Sequence, residues 1–216
     1  MPSLPTPAPP RGSPFLVVED DQNLARAVCR PIERVRPCVI ALDYAEGERR
    51  LRSDVTWCAM IFDVKLGSFS GLDLLALART LHPNVPTLLM SGYHDNVEVM
   101  NRAYAMGSAF VNKPIGMAEI RRIVAEGLIA EAKLDDEHVG RTLLRIATSA
   151  NLTGAEVEIL LLALEHESVE GIIRRRGVTL NTHKHQVRSL AEKLGVQRLS
   201  EAARLVFTEA NGERRR

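Results

Sequence analysis

The chain is predicted to form a doubly wound α/β domain with a parallel sheet, followed by a small all-α domain. Short apolar runs alternate with longer amphipathic stretches from Pro14 to about Glu131, the alternation stops at a polar segment, and only helical periodicity follows it. The strand candidates are Phe15 to Val18, Cys38 to Leu42, Ala59 to Phe62, Thr87 to Met90 and Ala109 to Val111, each short and bounded by polar or turn residues. Helical stretches separate them near Asp21 to Val35, Ala45 to Arg52, Gly71 to Leu81, Asn96 to Met106 and Met117 to Glu131. Five strands alternating with five helices imply a parallel sheet covered on both faces. Pro31 falls inside the first helical stretch and is expected to kink or shorten it, because proline lacks the N–H and crowds the preceding turn.

The flanks read differently. Residues 1–13 hold Pro2, Pro5, Pro7, Pro9 and Pro10 with almost no apolar bulk, so they form an extended tail that cannot offset the entropy of ordering. The sheet domain spans 14–131. A polar stretch with Asp135, Asp136 and Glu137 makes 132–150 a linker, partly helical. The second domain, 151–216, has breaks near Glu167, Gly177 and Gly195 that divide it into roughly four short helices.

A chain of 216 residues can bury a real core, and its 45% hydrophobic and 25% charged residues exclude general disorder. No apolar run approaches the roughly 18 residues of a membrane span, and prolines stand where a signal peptide would have its apolar region. A cytoplasmic protein is expected. Cys29, Cys38 and Cys58 are odd in number and widely spaced within apolar segments, which fits reduced buried thiols better than a disulfide or metal framework. The net charge of +1 is uninformative, but between Gly171 and Arg198 seven basic residues, Arg174, Arg175, Arg176, Lys184, Arg188, Lys193 and Arg198, face a single acid, Glu192.

In a doubly wound sheet every strand delivers its next residues to the same carboxyl edge, where ligands bind. The first strand ends in Glu19 and Asp20, the third in Asp63, the fourth in Ser91 and the fifth in Lys113. Clustered carboxylates repel one another unless a cation sits among them, and hard oxygen ligands with room for water suit Mg²⁺. Such a site handles phosphate. Asp63 would be the nucleophile that takes a phosphoryl group, Asp20 and Asp63 would hold the metal, and Glu19 would hold its waters. Lys113 would pair with the phosphoryl charge and Ser91 would donate a hydrogen bond to it. Singly, Asp20 or Asp21 reads equally well as a helix cap and Lys113 as a solvated strand end.

The segments Phe15-Leu-Val-Val-Glu-Asp-Asp21, Ile61-Phe-Asp-Val-Lys-Leu66 with Gly71, Leu88-Leu-Met-Ser-Gly92 and Val111-Asn-Lys-Pro114 resemble the receiver motifs of two-component response regulators. The resemblance covers about residues 14 to 130 and implies a flavodoxin-like (βα)5 fold. It implies that Asp63 is the phosphoacceptor, that Glu19 and Asp20 are the acidic pair, and that Lys65 gives its backbone carbonyl to Mg²⁺. It also implies that Ser91 and Phe110 are the switch residues and that the Lys113–Pro114 bond is cis. A sensor histidine kinase or phosphotransfer protein is the implied phosphodonor. Gly67 replaces a common proline, a departure expected to loosen the loop after Asp63. The alternative of a haloacid-dehalogenase-type phosphatase needs a second acid two residues after the nucleophile. Lys65 stands there, and no enzyme turning over a separate substrate is expected.

In the second domain Ser168 and Thr179 suit N-caps and Gly177 a C-cap, so the chain reads helix, tight turn, helix between Val169 and Leu194. The second helix opens Leu180-Asn-Thr-His-Lys-His-Gln-Val-Arg188, a polar face that suits a major groove. Thr182, His185, Gln186 and Arg188 lie near base edges, Lys184 near phosphate, and Arg174 to Arg176 flank the backbone. On composition alone a solvated basic helix is an equal reading. Leu152-Thr153, Glu156, Glu158, Ser168, Ile172, Gly177, Thr182, Lys184 and Lys193-Leu-Gly-Val196 resemble the LuxR/NarL-type helix-turn-helix, which implies promoter DNA as partner and a phosphorylation-dependent homodimer. Arg176 and His183 stand where that family has apolar residues, and Gln186 where it often has histidine. Charged groups at core positions cost stability unless they snorkel. They leave room for a degenerate helix-turn-helix that docks a protein partner.

Overall fold

The computed structural model describes residues 12–92, 97–134 and 136–213. The proline-rich tail up to Arg11, Asn96, Asp135 and the last three residues therefore lie outside the described residues. The strands are β1 (Phe15–Val18), β2 (Cys38–Ala41), β3 (Ala59–Asp63), a short hairpin of β4 (Lys65–Leu66) and β5 (Phe69–Ser70), β6 (Thr87–Ser91) and β7 (Ala109–Asn112). β1, β2, β3, β6 and β7 form one parallel sheet in the order β2-β1-β3-β6-β7. Every residue of β1, β3 and β6 is buried, as an inner strand covered on both faces requires, while the edge strands are mostly half-buried. Side chains alternate between the faces. Phe15, Val17 and Ile61 pack with α1 (Gln22–Ile32) and α5 (Met117–Ala132). Leu16, Val18, Met60 and Phe62 pack on the other side with α2 (Tyr44–Leu51), α3 (Gly71–Leu81) and α4 (Val97–Ala105).

The first helix is shorter than its periodicity predicts. It ends at Ile32, one residue after Pro31, and not near Val35. Asp21 is its N-cap, accepting hydrogen bonds from the backbone N–H groups of Asn23 and Leu24 at 2.8 and 3.1 Å. That resolves the choice left open by the sequence, since the cap is Asp21 and Asp20 faces the strand ends.

The expectation of three reduced thiols is wrong for two of them. Cys29, in the last turns of α1, and Cys38, at the start of β2, are disulfide-bonded with Cα atoms 5.8 Å apart. The α1–β2 turn brings them together, a proximity that counting and spacing do not register. Cys58 is a buried free thiol.

Most of segment 132–150 is α6 (Glu137–Ser149), whose Val139, Leu143, Ile146 and Ala147 are buried. It packs on α5 and on α10 (Leu199–Glu213). α7 (Gly154–Leu164) follows, then α8 (Val169–Arg176) and α9 (Leu180–Leu194). Thr153 and Glu156 form a reciprocal capping box at α7. Ser168 caps α8 and Thr179 caps α9 as predicted, and Gly177 ends α8 at φ 63°, the left-handed conformation that favours glycine. One apolar cluster runs from the α1/α5 face of the sheet through Leu143, Leu152, Val157 and Leu160 to Leu190 and Val206. Among the described residues, no helix is long and apolar enough to cross a membrane.

Candidate phosphoacceptor site and helical surface

The parallel topology does bring the predicted strand-end residues together. Glu19, Asp20 and Asp63 each place a carboxylate oxygen within 4.8 Å of the others. Lys113 reaches into this cluster, its Nζ 2.7 Å from Glu19 Oε2 and 2.9 Å from Asp63 Oδ2. With Val64, Lys65, Ser91 and Gly92, the residues Asp20, Asp63 and Lys113 line an open cavity of about 280 Å³. Glu19 and Ser91 are buried, Asp63 is 5% exposed, and Asp20 and Lys65 face solvent. Burial pushes the Glu19 carboxyl above its ordinary value against the opposing pull of Lys113. For Lys113, burial works to lower the ammonium pKa, but hydrogen bonds to Glu19 and Asp63 outweigh it and the net shift is upward. The site therefore holds one fixed positive charge beside three acids.

Backbone details make this geometry possible. The Lys113–Pro114 peptide is cis, and the Lys113 N–H donates to the Ser91 carbonyl at 2.7 Å, tying β7 to β6 at the cavity wall. Gly71 packs so closely that a Cβ there would lie 1.9 Å from the Asp63 carbonyl oxygen. Gly67 has φ 60°, in the turn of the β4–β5 hairpin, and its N–H donates to Asp20 Oδ2 at 3.3 Å. A proline could adopt neither that φ nor that hydrogen bond. The departure at Gly67 thus ties the loop to the acidic pair, where the sequence predicted loosening. Phe110, the predicted switch aromatic, is half-buried against the α2/α3/α4 side of the core.

Three clustered hard carboxylates, two of them, Asp20 and Asp63, on the wall of a cavity with room for water, are a donor set that fits a divalent cation such as Mg²⁺. A carboxylate fixed in this way, beside an ammonium and a hydroxyl, can accept a phosphoryl group.

The family model for the response regulator receiver domain matches residues 15–125. This chain belongs to that family. Among curated relatives, the methanol utilization control regulatory protein MoxX of Paracoccus denitrificans is 28% identical over 200 residues, covering 87% of each chain. The swarming motility regulation protein RssB of Serratia marcescens is 29% identical over 109 residues, 49% of this chain and 48% of its own. Among solved structures, an adenylate cyclase from Rhodopirellula baltica aligns with a TM-score of 0.50 at 21% identity over 56% of this chain and 90% of its own, a likeness of fold alone. Full-length FixJ from B. japonicum aligns at 0.48 and 20% identity over 92% of this chain and 97% of its own. The receiver domain of this response regulator thus has the five-stranded parallel sheet of its family, and a helical region follows it.

In that helical region, α9 exposes Thr182, Lys184, His185 and Arg188. The other predicted contacts are more committed. Gln186 is half-buried, and its Oε1 accepts from Arg176 Nη1 at 2.8 Å. Arg188 pairs with Glu192 at 2.9 Å, and Arg175 with Glu165 and Glu167 at 2.8 and 2.9 Å, while Arg174 is exposed. The seven-to-one excess of basic residues counted within 171–198 omitted acids at the α7–α8 junction. Arg176 does not flank a surface. Its side chain is 5% exposed and pairs with Glu158 at 2.8 Å, so it occupies an apolar position by being paired and not by snorkelling. His183 is buried as well, and burial first, then the Arg176 charge, hold its imidazole below the ordinary value.

Sequence reasoning missed Arg36. It lies in the α1–β2 turn, 11% exposed, and bridges Glu131 of α5 at 2.9 Å and Glu158 of α7 at 2.6 Å. Partners 95 and 122 residues away leave no local signal.

Proposed function

We propose that this chain is a phosphorylation-controlled response regulator of a two-component system, whose helical region is a LuxR/NarL-type helix-turn-helix that binds promoter DNA from the cytoplasm. The observation that carries the first half is the Asp63 carboxylate at the cavity wall, 2.9 Å from Lys113 and grouped with Glu19 and Asp20. A sensor histidine kinase or phosphotransfer protein would present a phosphohistidine. An Asp63 oxygen attacks phosphorus, the phosphorus–nitrogen bond breaks, and the imidazole leaves with the electron pair. Lys113 then pairs with the transferred group's negative oxygens, and Ser91, lining the same cavity, donates its hydroxyl. Mg²⁺ held by Asp20, Asp63 and the Lys65 backbone carbonyl, with its waters on Glu19, would neutralise charge on the phosphoryl oxygens. Movement of Ser91 toward the phosphoryl group empties space into which Phe110 turns, and the sheet edge around β7 changes shape.

The second half rests on the sequence resemblance and on the exposed Thr182, Lys184, His185 and Arg188 of α9. MoxX, similar along most of its length, is named as a control regulatory protein. In this reading Arg174 and Arg175 lie along the phosphate backbone and Lys184 on a phosphate. Thr182, His185, Gln186 and Arg188 read bases, with two copies on half-sites about one helical turn apart. The engagement of Gln186 by Arg176 favours a second reading, in which this surface docks a protein. Gel-shift titrations of the full chain with pooled genomic fragments, with and without acetyl phosphate, separate the two. Binding whose affinity changes on phosphorylation is expected; no binding to any fragment at low salt assigns the surface to a protein.

A further inference from the structure

The disulfide and the charge bridge meet in one place. Cys29 and Cys38 close a ring whose loop, between the end of α1 at Ile32 and the start of β2, carries Val35 and Arg36. These two residues are what the turn presents to the helical region. Arg36 Nη1 lies 2.6 Å from Glu158 on α7, and Glu158 in turn holds Arg176, which holds Gln186 on α9. Val35 faces Gly154 at the start of α7 so closely that a Cβ there would lie 2.8 Å from Val35 Cγ2. Among the described residues, the cross-linked loop is therefore one of the two places where the receiver holds the helical region, the other being the packing of α5 against α6 and α7.

We propose that Cys29–Cys38 is a reversible redox site, and that thiol–disulfide exchange there sets how firmly the receiver holds the helical region. Three features support the assignment. The Cα separation of 5.8 Å lies within the range a disulfide spans without backbone movement. Cys38 is half-buried on an edge strand whereas Cys29 is 1% exposed, so Cys38 is the more accessible of the two for an exchanging thiol and Cys29 the one to resolve it. The third cysteine does not compete, because burial pushes the Cys58 thiol up to about 12, leaving it protonated and inert. In a reducing compartment a disulfide of this kind is transient and sensing, not structural.

The co-reactant is a low-molecular-weight disulfide. Its sulfur–sulfur bond is attacked by the Cys38 thiolate, which forms a mixed disulfide and expels one thiolate. Cys29 then attacks the Cys38 sulfur and expels the second. One disulfide bond forms in the protein and one breaks in the reagent, two electrons pass to the reagent, and the two cysteine protons end on its two thiols. Reduction by a dithiol runs the same steps backwards. With the ring open, residues 30–37 regain backbone freedom and the Val35 and Arg36 contacts loosen.

The test uses the full chain poised with hydroxyethyl disulfide or with dithiothreitol, and the main comparison needs no substitution. Alkylation and peptide mass spectrometry are expected to find Cys29 linked to Cys38 in the first and both alkylated in the second, with Cys58 unlinked throughout. Amide hydrogen exchange over residues 33–36 and 154–165 is expected to rise roughly fivefold on reduction and to fall again on reoxidation. Cys38→Ser should exchange like the reduced protein at either poise, and Cys29→Ala serves the same purpose if the first variant fails to fold. Absence of the cross-link at every oxidant concentration overturns the proposal, and so does a cross-link that leaves exchange over 154–165 unchanged. The readouts are independent of DNA. Only the further consequence, a DNA affinity that follows the redox poise, rests on the helix-turn-helix reading, and its failure alone counts against that reading and not against the redox site.

Discussion

At the carboxyl edge of the sheet, Lys113, just after β7, meets Glu19, just after β1, and Asp63, the last residue of β3, at contacts under 3 Å and largely out of water, whereas on α9 Lys184, His185 and Arg188 stand in solvent, with Arg188 beside Glu192. Charge interactions strengthen as the surroundings lose water, so the first arrangement is fixed by its own electrostatics while the second is screened and adaptable. The difference teaches what each kind of site demands of the sequence. A buried cluster needs every member placed by backbone, which is why Gly71, Gly67 and the Lys113 N–H all have geometric roles there. An exposed helical face needs only the right residue types at helical spacing.

Substitutions that break this comparison should differ in size by region. The largest effect is expected at Gly71, where any Cβ collides with the Asp63 backbone and no flexible side chain can yield. Gly71→Val should cost about 3 kcal/mol in denaturant unfolding, an overpacking penalty at the top of its usual range. A spectroscopic melt unchanged from the parent would show that the loop after Asp63 is not held as described.

The helical region holds a buried carboxylate that should behave like the receiver site. Glu156 is 3% exposed and pairs with Lys193 at 2.7 Å. Burial works to raise its carboxyl, but hydrogen bonds from Lys193, the Thr153 backbone and Ser189 outweigh it, and the net shift is downward. A depressed folded pKa gives stability that is present above the unfolded value and lost as pH falls through the folded one. Unfolding of the helical region should therefore become easier only below the ordinary carboxylate range. Glu156→Ala should cost about 2 kcal/mol at neutral pH, since it removes the acceptor of the Thr153 N–H, of the Ser189 hydroxyl and of Lys193 at once. Equal stabilities of parent and variant at pH 7 would place this ion pair with the screened surface ones.

On α9 the effects should be smaller and should separate by kind. Arg188→Ala is expected to reduce discrimination between specific and random DNA by about 1 to 3 kcal/mol, as loss of a base contact does. Lys184→Ala should weaken all sequences alike and lower the salt slope by about one unit. Titrations of both variants across a salt series check this, and identical behaviour of the two would erase the assigned roles.

The legibility of the molecule follows the same division. The strand runs and the residues after them were readable because a parallel sheet converts sequence order into spatial convergence, so Glu19, Asp20, Asp63, Ser91 and Lys113 could be grouped without a structure. The hairpin of Lys65–Leu66 with Phe69–Ser70 was not read, since two-residue strands carry no periodicity. Nor was the Cys29–Cys38 bond, which depends on where α1 stops and how the chain turns into β2. Arg176 looked like an addition to a basic surface because its acid, Glu158, belongs to another helix. Arg36, joining elements far apart in sequence, was invisible for the same reason.

Everything proposed for the receiver depends on Asp63 accepting a phosphoryl group from a small or protein donor. Intact-mass and peptide analysis of the full chain after incubation with acetyl phosphate and Mg²⁺ tests it most directly. One phosphoryl adduct per chain, mapped to the peptide carrying Asp63, labile in base and absent from Asp63→Asn, is the result this account expects. Equal labelling of Asp63→Asn at another residue, or no labelling of the folded parent by acetyl phosphate or by any phosphorylated histidine donor, would contradict it.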